Sequence, residues 1–277
     1  MKYGVVLPGG TADQQLRQAI LAEAHGWFGV FVWEAAYGVD AWTLLGAMAA
    51  RTSRVMLGTN LTPLPWRRPW KVASQAVTLD QISGGRAIVG IGLGAVDNFL
   101  GETGEVIDRK IRAEAMDEGI DLMRGLWRGD LVFQGKHYQM DISGRTDLAE
   151  VGRPVQTPIP LWVVGAWPSE KSMNRVLRCQ GILPNVRIDG QFASPRPSDL
   201  GQIRNWLAER SDVAHDIIAD GETPIDDQAA ATDIVRPFAE AGATWWLETR
   251  WDMALANEER MRQIEARIKA GPPILSS

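Results

Sequence analysis

Val55–Gly94 reads VMLGTNLTPLPWRRPWKVASQAVTLDQISGGRAIVGIGLG, and its punctuation decides the fold. An apolar run led by a β-branched residue, Val55–Leu57, passes into a Pro-broken, Arg-bearing loop over Thr62–Pro69. A helical segment follows over Trp70–Gln81. Ser83-Gly84-Gly85 then turns the chain into a second apolar run, Ala87–Ile91, which ends in Gly92-Leu93-Gly94. Strand, loop, helix, turn, strand and glycine loop make one βαβ unit with both loops after strand C-termini. In parallel α/β folds ligands bind at that edge.

The same rhythm extends in both directions. Upstream, Tyr3–Leu7 is a strand closed by Pro8-Gly9-Gly10, and Asp13–His25 has apolar residues at helix spacing. Gly29–Trp33 is a second strand, and Asp40 caps a helix over Ala41–Arg51. Downstream, Asp97–Gly104 reads as loop, Glu105–Trp127 as one long helix, and Leu131–Met140 as a hairpin turning at Gln134-Gly135-Lys136. Ile142–Pro158 reads as loop. Strands follow at Ile159–Val164, Gly181–Leu183, Ala214–Ala219 and Thr244–Glu248. Between and after them come helices at Glu170–Gln180, Asp199–Arg210, Asp226–Ala241 and Asn257–Ala270, with a loop over Val186–Pro197 and a frayed tail, GPPILSS. Eight strands each followed by a helix, with no linker between them, predict a (β/α)8 TIM barrel with an insertion after strand 4. The expected organisation is a single domain over 1–277, with the insertion region at about 95–158 holding the long helix and the hairpin. A doubly wound open sheet is the alternative, and the unbroken run to eight favours the barrel.

Composition narrows the partners. The 277 residues are 45% hydrophobic and 23% charged, the balance of a globular chain with a large core. Net charge is −5 and no Lys/Arg run occurs, so neither nucleic acid nor an anionic membrane is an expected partner. The lone cysteine, Cys179, allows no internal disulfide. The apolar run in MKYGVVLPGG is too short for a signal peptide, and no stretch reaches the roughly 20 apolar residues of a membrane span. The expected location is the cytoplasm.

In a barrel the loops after the strands meet at one mouth. Here they bring Pro8-Gly9, Glu34, Asn60 with Thr62, Gly92-Leu93-Gly94, Gly165-Ala166-Trp167, Asn185, and Glu248 with Arg250. The three histidines, His25, His137 and His215, fall elsewhere, so neither a metal triad nor a Ser-His-Asp set can be built. A mouth poor in acids and bases but rich in glycine and aromatics suits an organic cofactor that carries the reaction itself. Gly90–Gly94 exposes backbone to a flat ring or a phosphate, or is a tight turn. Gly165-Ala166-Trp167-Pro168-Ser169 opens a helix whose amides favour a phosphate, or is a loop with a Ser cap. Arg67-Arg68 is either an anion clamp or a salt-bridged surface pair. Glu34 is the lone carboxylate ending strand two, an acid or base if burial raises its pKa, or a group that holds a neighbouring loop.

The segment from Leu57 to Gly94 resembles the signature of the luciferase-like monooxygenase superfamily: a Gly-Thr strand end, a Pro- and Arg-bearing loop, then Leu79, Asp80, Ser83, Gly85 and Arg86 before a glycine-ended strand. The similarity continues at Phe99-Leu100-Gly101, Arg112, Asp117-Glu118, Leu126-Trp127, Ile159–Trp162 with Gly165, Gly181 with Pro184, and Ala241-Gly242-Ala243. It implies a (β/α)8 barrel using FMN or the deazaflavin coenzyme F-420 on a small-molecule substrate, by hydride transfer or flavin/O2 monooxygenation. It implies a non-prolyl cis peptide at Asn60–Leu61 supporting the ring, with Thr62 beside it. Gly92, Leu93 and Gly94 would line the same cavity, and the amides of Gly165, Ala166 and Trp167 would take the phosphate. Trp33, Trp66 and Trp167 would wall the substrate pocket. Many members carry an acid-His pair at the end of strand two; here the acid is Glu34 and Ala35 stands at the His position. That departure leaves hydride transfer, or a non-catalytic flavin-binding protein on the same barrel, more open than oxygen chemistry. Members often form homodimers, and exposed tryptophans on the helices would suit one.

Overall fold

Strands buried on both faces form the centre of the molecule, and amphipathic helices wrap them. The computed structural model describes residues 1–95, 101–188, 191–250 and 257–275. In chain order the elements are β1 (Lys2–Val6), α1 (Ala12–Ala24), β2 (Gly29–Val32), α2 (Ala41–Arg51), β3 (Met56–Pro63), α3 (Pro69–Ser83), β4 (Ala87–Gly92), α4 (Arg109–Arg128), β5 (Val132–Gln134), β6 (Gln139–Asp141) and α5 (Thr146–Val151). Then come β7 (Leu161–Trp167), α6 (Glu170–Val176), β8 (Gly181–Ile188), β9 (Gln191–Ala193), α7 (Pro197–Ala208), β10 (Asp216–Gly221), α8 (Gln228–Ala241), β11 (Trp245–Thr249) and α9 (Asn257–Ala270).

The parallel strands run in the order β10-β11-β1-β2-β3-β4-β7-β8, and pairing of β8 with β10 closes the barrel. The short β9 adds antiparallel to β8, and β5 with β6 forms a separate hairpin. Two cores result from the strand period of two. Val5, Val30, Leu57, Val89 and Ile182 face outward against the helices. Val6, Phe31, Ile88, Trp162, Ile218 and Trp245 face inward. Three of these rings meet at the axis, with Trp162 5.0 Å from Trp245 and 5.2 Å from Phe31. Side chains therefore fill the barrel below its mouth, as the fold requires.

Caps set the helix ends. Thr11 and Gln14 form a capping box on α1, Asp40 accepts from the Thr43 amide, and Asp108 accepts from the Ile111 amide. The last contact starts α4 at Arg109, four residues after the start expected from apolar spacing alone. Gly84, at φ 69°, ends α3 in the left-handed conformation.

Several boundaries differ from expectation. β3 runs on to Pro63 because, past a register shift after Thr59, Thr62 and Pro63 pair again with Ile91 and Gly92. β8 continues through Pro184-Asn185 to Ile188, since β7 and then β9 supply partners on its two sides. α6 stops at Val176, well short of Gln180. The loop expected over Ile142–Pro158 contains α5. Of the loop expected over Asp97–Gly104, residues 97–100 lie outside the described residues, and Gly101–Thr103 is a 3-10 turn. The described part of the tail, 271–275, is tied down: Gln228 donates to Pro272 O and Thr232 to Ile274 O, while 276–277 lie outside the described residues. Among the described residues no helix is long and apolar enough to cross a membrane.

Candidate functional site

The mouth holds a cavity of about 560 Å³ on the side of β4, β7 and β8. Leu93, Val164, Ala166 and Asn185 form its wall from the strand ends. The first turn of α4 adds Arg109, Lys110 and Arg112, α6 adds Lys171 and Ser172 from its first turn and Arg175 from its last, and β8 adds Arg187. Among the described residues that line it, six are cationic and none is a carboxylate. Asp117 neutralises Arg175 through two contacts of 2.8 and 2.9 Å. Arg112 donates to the carbonyls of Leu93 and Gly94 and has no carboxylate bonded to it among the described residues, although the Asp108 charge partly offsets its own. Burial, and after it the charge of Arg109, push the Arg112 pKa down, a conflict that a bound anion would relieve.

The phosphate loop is built differently from the expected row of free amides. The Ala166 amide already donates to Ser172 Oγ at 2.9 Å. A hydroxyl that accepts keeps its own proton to give, so Ser172 can offer an O–H to an anion. Ser169 stands at the N-cap of α6 with no side-chain capping bond. Gly165 is glycine for a packing reason: a Cβ there would lie 2.5 Å from Ile182 Cδ1, on the outward face. Trp167 is half-buried, and its indole donates to Gln202 at 3.3 Å.

The glycine strand end obeys the same logic. A Cβ on Gly90 would meet the Thr59 carbonyl at 2.2 Å, and one on Gly92 would meet Leu61 at 2.8 Å. Gly94, at φ 78°, receives the ring of Trp66. Leu93 points into the cavity. The Asn60–Leu61 peptide is cis, as the resemblance implied, and Thr62 beyond it is fully buried.

Glu34 turns outward, toward the helices. It takes the Trp42 indole N–H at 3.2 Å and an ion pair from Arg67, which also donates to Gln75 at 2.8 Å. Burial pushes the Glu34 carboxyl above its ordinary pKa, with the Arg67 charge opposing. Arg67 is thus salt-bridged, while Arg68 lies over Trp70 with 5.9 Å to the ring centroid. Glu248 also faces outward, fully buried, where it accepts from the Thr223 amide and hydroxyl. No cluster of three or more metal-ligating side chains occurs among the described residues. Sequence reading missed the cations of α4 and α6, because nothing in the chain places those two helices beside one another.

A phosphate-bearing, flat cofactor fits this donor set: cations and a spare hydroxyl on one side, aliphatic and backbone surface on the other. The model for luciferase-like monooxygenases matches residues 1–186. The chain belongs to that family. A protein of Mycobacterium tuberculosis, named as a candidate coenzyme F420-dependent oxidoreductase, is 32% identical over 258 residues, covering 86% of this chain and 71% of that one. An F420-dependent glucose-6-phosphate dehydrogenase of Nakamurella multipartita is 31% identical over 161 residues, 54% of this chain and 46% of its own length. In fold the chain is similar to the coenzyme F420-dependent tetrahydromethanopterin reductase of Methanopyrus kandleri, with a TM-score of 0.74, 17% identity and 98% of each chain covered. This family member is an oxidoreductase of the flavin- or deazaflavin-dependent class.

Proposed function

We propose that this chain is a coenzyme F420-dependent oxidoreductase that moves hydride to or from a small organic molecule. The observation that carries the choice is the concentration of six cationic side chains, with no carboxylate beside them among the described residues that line the cavity. FMN brings one phosphate to such a site. Coenzyme F420 brings a phosphodiester and a run of glutamates, so its charge is better matched to cations spread over two helices and a strand. The relatives named for F420 support the same choice.

When bound, the cofactor supplies or accepts the hydride. The rest falls to the chain. Beside the Gly165-Ala166-Trp167 loop, the Ser172 hydroxyl, oriented by the Ala166 amide, and the neighbouring cations would hold the phosphate. Asn60, Leu61 and Thr62 on one side and Gly92, Leu93 and Gly94 on the other support the ring. Trp33, Trp66 and Trp167 wall the substrate side. Glu34, paired with Arg67 and the Trp42 indole, positions the loop after β3. The reading covers one domain over 1–277, with the excursion between β4 and β7 at about 95–158. It has the enzyme working in the cytoplasm. A homodimer loses the support expected from exposed tryptophans, since every described tryptophan is buried or half-buried.

Fluorescence titration tests the choice. F420 is expected to bind more tightly than FMN, and its affinity to fall more steeply with added salt because more charges are neutralised. Tighter binding of FMN, or equal salt dependence, would overturn the F420 assignment. Failure of both to bind would remove the enzyme reading altogether.

A further inference from the structure

One carboxylate at the mouth has an inward-facing position, access to solvent and no partner. Along β10, Ile217 and Ala219 pack outward with the helices, while Ile218 packs inward with Trp162 and Trp245. Asp220 is two residues past Ile218, so the strand period points its side chain to the axis at the mouth end. Its register partner on β11 is Leu247, itself inward-facing. On the other side β8 pairs Gly181 with Asp216 and Ile182 with Ile217. Carrying that register three residues further sets Asn185, a cavity residue, opposite Asp220.

The side chain is exposed, yet burial pushes its carboxyl above the ordinary aspartate range. An inward strand position at the mouth end accounts for both, since solvent reaches the group from above while the barrel wall surrounds it on the other sides. Among the described residues no ion pair and no side-chain hydrogen bond reaches Asp220; its own amide is the one group that draws the pKa down. Glu34 and Glu248 are the contrast, since each is bonded to neighbours on the outward side. Neither neighbour that faces Asp220 across the ladder, Leu247 or Asn185, is titratable, and Arg187 lies two residues beyond Asn185 on β8.

We propose that Asp220 exchanges a proton with the substrate oxygen in this enzyme, an inference that rests on the hydride-transfer reading above. An alcohol becomes the matching carbonyl compound by losing hydride from its carbinol carbon to the oxidised cofactor and a proton from its oxygen. The carboxylate of Asp220 takes that proton as the C=O bond forms. In the reverse direction the protonated carboxyl returns it. The substrate class is therefore small alcohols and the matching aldehydes or ketones. An inward carboxyl that can hold or release its proton is suited to both directions, whereas the pinned Glu34 cannot reach the axis without giving up Arg67 and Trp42.

Carbon-13 NMR of the aspartate carboxyls, with Asp220→Asn to assign the resonance, reads the site without turnover. The Asp220 signal should titrate above ordinary aspartates and shift on addition of 2-propanol as probe. A signal that titrates normally and ignores 2-propanol would overturn the proposal, whatever the cofactor proves to be. In F420-loaded protein, D220N should lower kcat on a panel of aldehydes and ketones by roughly 10²–10⁴-fold while leaving F420 affinity intact. Added formate should restore part of the rate in Asp220→Ala. Wild-type turnover in D220N with F420 still bound would defeat the assignment. Absence of F420 binding in the wild type would instead defeat the cofactor reading and leave the NMR result to decide Asp220.

Discussion

Glu34 carries its carboxyl where solvent barely reaches, with 6% of the side chain exposed, against 25% for its partner Arg67. Burial is the largest influence on it and raises its pKa; the Arg67 charge works the other way. A carboxyl whose folded pKa is raised stabilises the fold below its unfolded pKa, and that contribution is lost as pH rises through the folded value. Arg67→Ala removes the main opposing influence and raises the pKa further. The variant should be less stable than wild type by roughly 1–2 kcal/mol at neutral pH, a figure reduced for the partial exposure of Arg67. The deficit should shrink as pH falls into the carboxylate range, where Glu34 is protonated in both proteins. Urea unfolding at neutral and acidic pH checks this; a deficit that does not change with pH would mean that Arg67 acts by packing alone. The sequence identified Glu34 as a strand-end carboxylate but could not tell which way it faces. β2 reads GVFV, buried on both sides, and β10 reads IIA before Asp220. Strands covered on both faces have no polar alternation to reveal the parity of the next residue. The same loss of signal hid Asp220 and left Glu248 apparently at the mouth.

At the scale of elements, the signature over Leu79–Arg86 serves the end of the barrel opposite the site. Arg86 precedes β4, and its guanidinium donates to the carbonyls of Ala49, Thr52, Val55 and Ser83 and to the Thr52 hydroxyl. It thereby joins the end of α2, the start of β3 and the end of α3. Asp80, fully buried, accepts from the amides of Val155 and Gln156 and from the Gln156 side chain, which fixes the approach to β7. A lysine at position 86 offers one ammonium with three donors in place of a planar fork of five. Arg86→Lys should therefore cost about 2 kcal/mol, seen as a lower urea midpoint, with cofactor affinity unchanged. A weakened cofactor affinity would place this cluster in communication with the mouth. Residue identity made the motif visible in the sequence. Its place did not follow, because the partners of Arg86 are main-chain carbonyls, which leave no trace in residue type. The cations of the cavity were hidden for a related reason: α4 and α6 meet through Arg175 and Asp117, 58 positions apart, a pairing set by barrel closure.

At the scale of the whole molecule, closing an eight-stranded barrel leaves the last strand and last helix to seal against the first. The β1–β11 ladder makes the strand contact, Lys2 to Trp245 through Val6 to Thr249. The helical contact is ionic. Arg267 of α9 and Glu248 of β11 are both fully buried and 3.4 Å apart. Arg267 also donates to Thr223 Oγ1 at 2.9 Å and to Gly271 O at 2.7 Å, and lies over the Trp27 ring, 5.1 Å from its centroid. The Trp27 indole in turn donates to Ile268 O at 2.9 Å, so the turn between α1 and β2, β11 and α9 share one latch. Burial draws the Arg267 pKa down and Glu248 holds it up, the mark of a charge that depends on its partner. Arg267→Ala should cost about 3–5 kcal/mol, because it leaves Glu248 buried with only Arg250 nearby and opens a gap over Trp27. Replacing both charges, Glu248→Gln with Arg267→Met, should recover much of that loss by removing the unpaired carboxylate. Cys179 supplies the second readout. Its thiol is buried and pushed up to about 12, so it should react with thiol reagents only when the chain opens. If the latch seals the barrel as a unit, R267A should speed Cys179 labelling in proportion to its loss of stability, although Cys179 follows α6 and α9 lies at the other end of the chain. Loss of stability with unchanged labelling would mean that α9 detaches alone and the barrel remains closed without it.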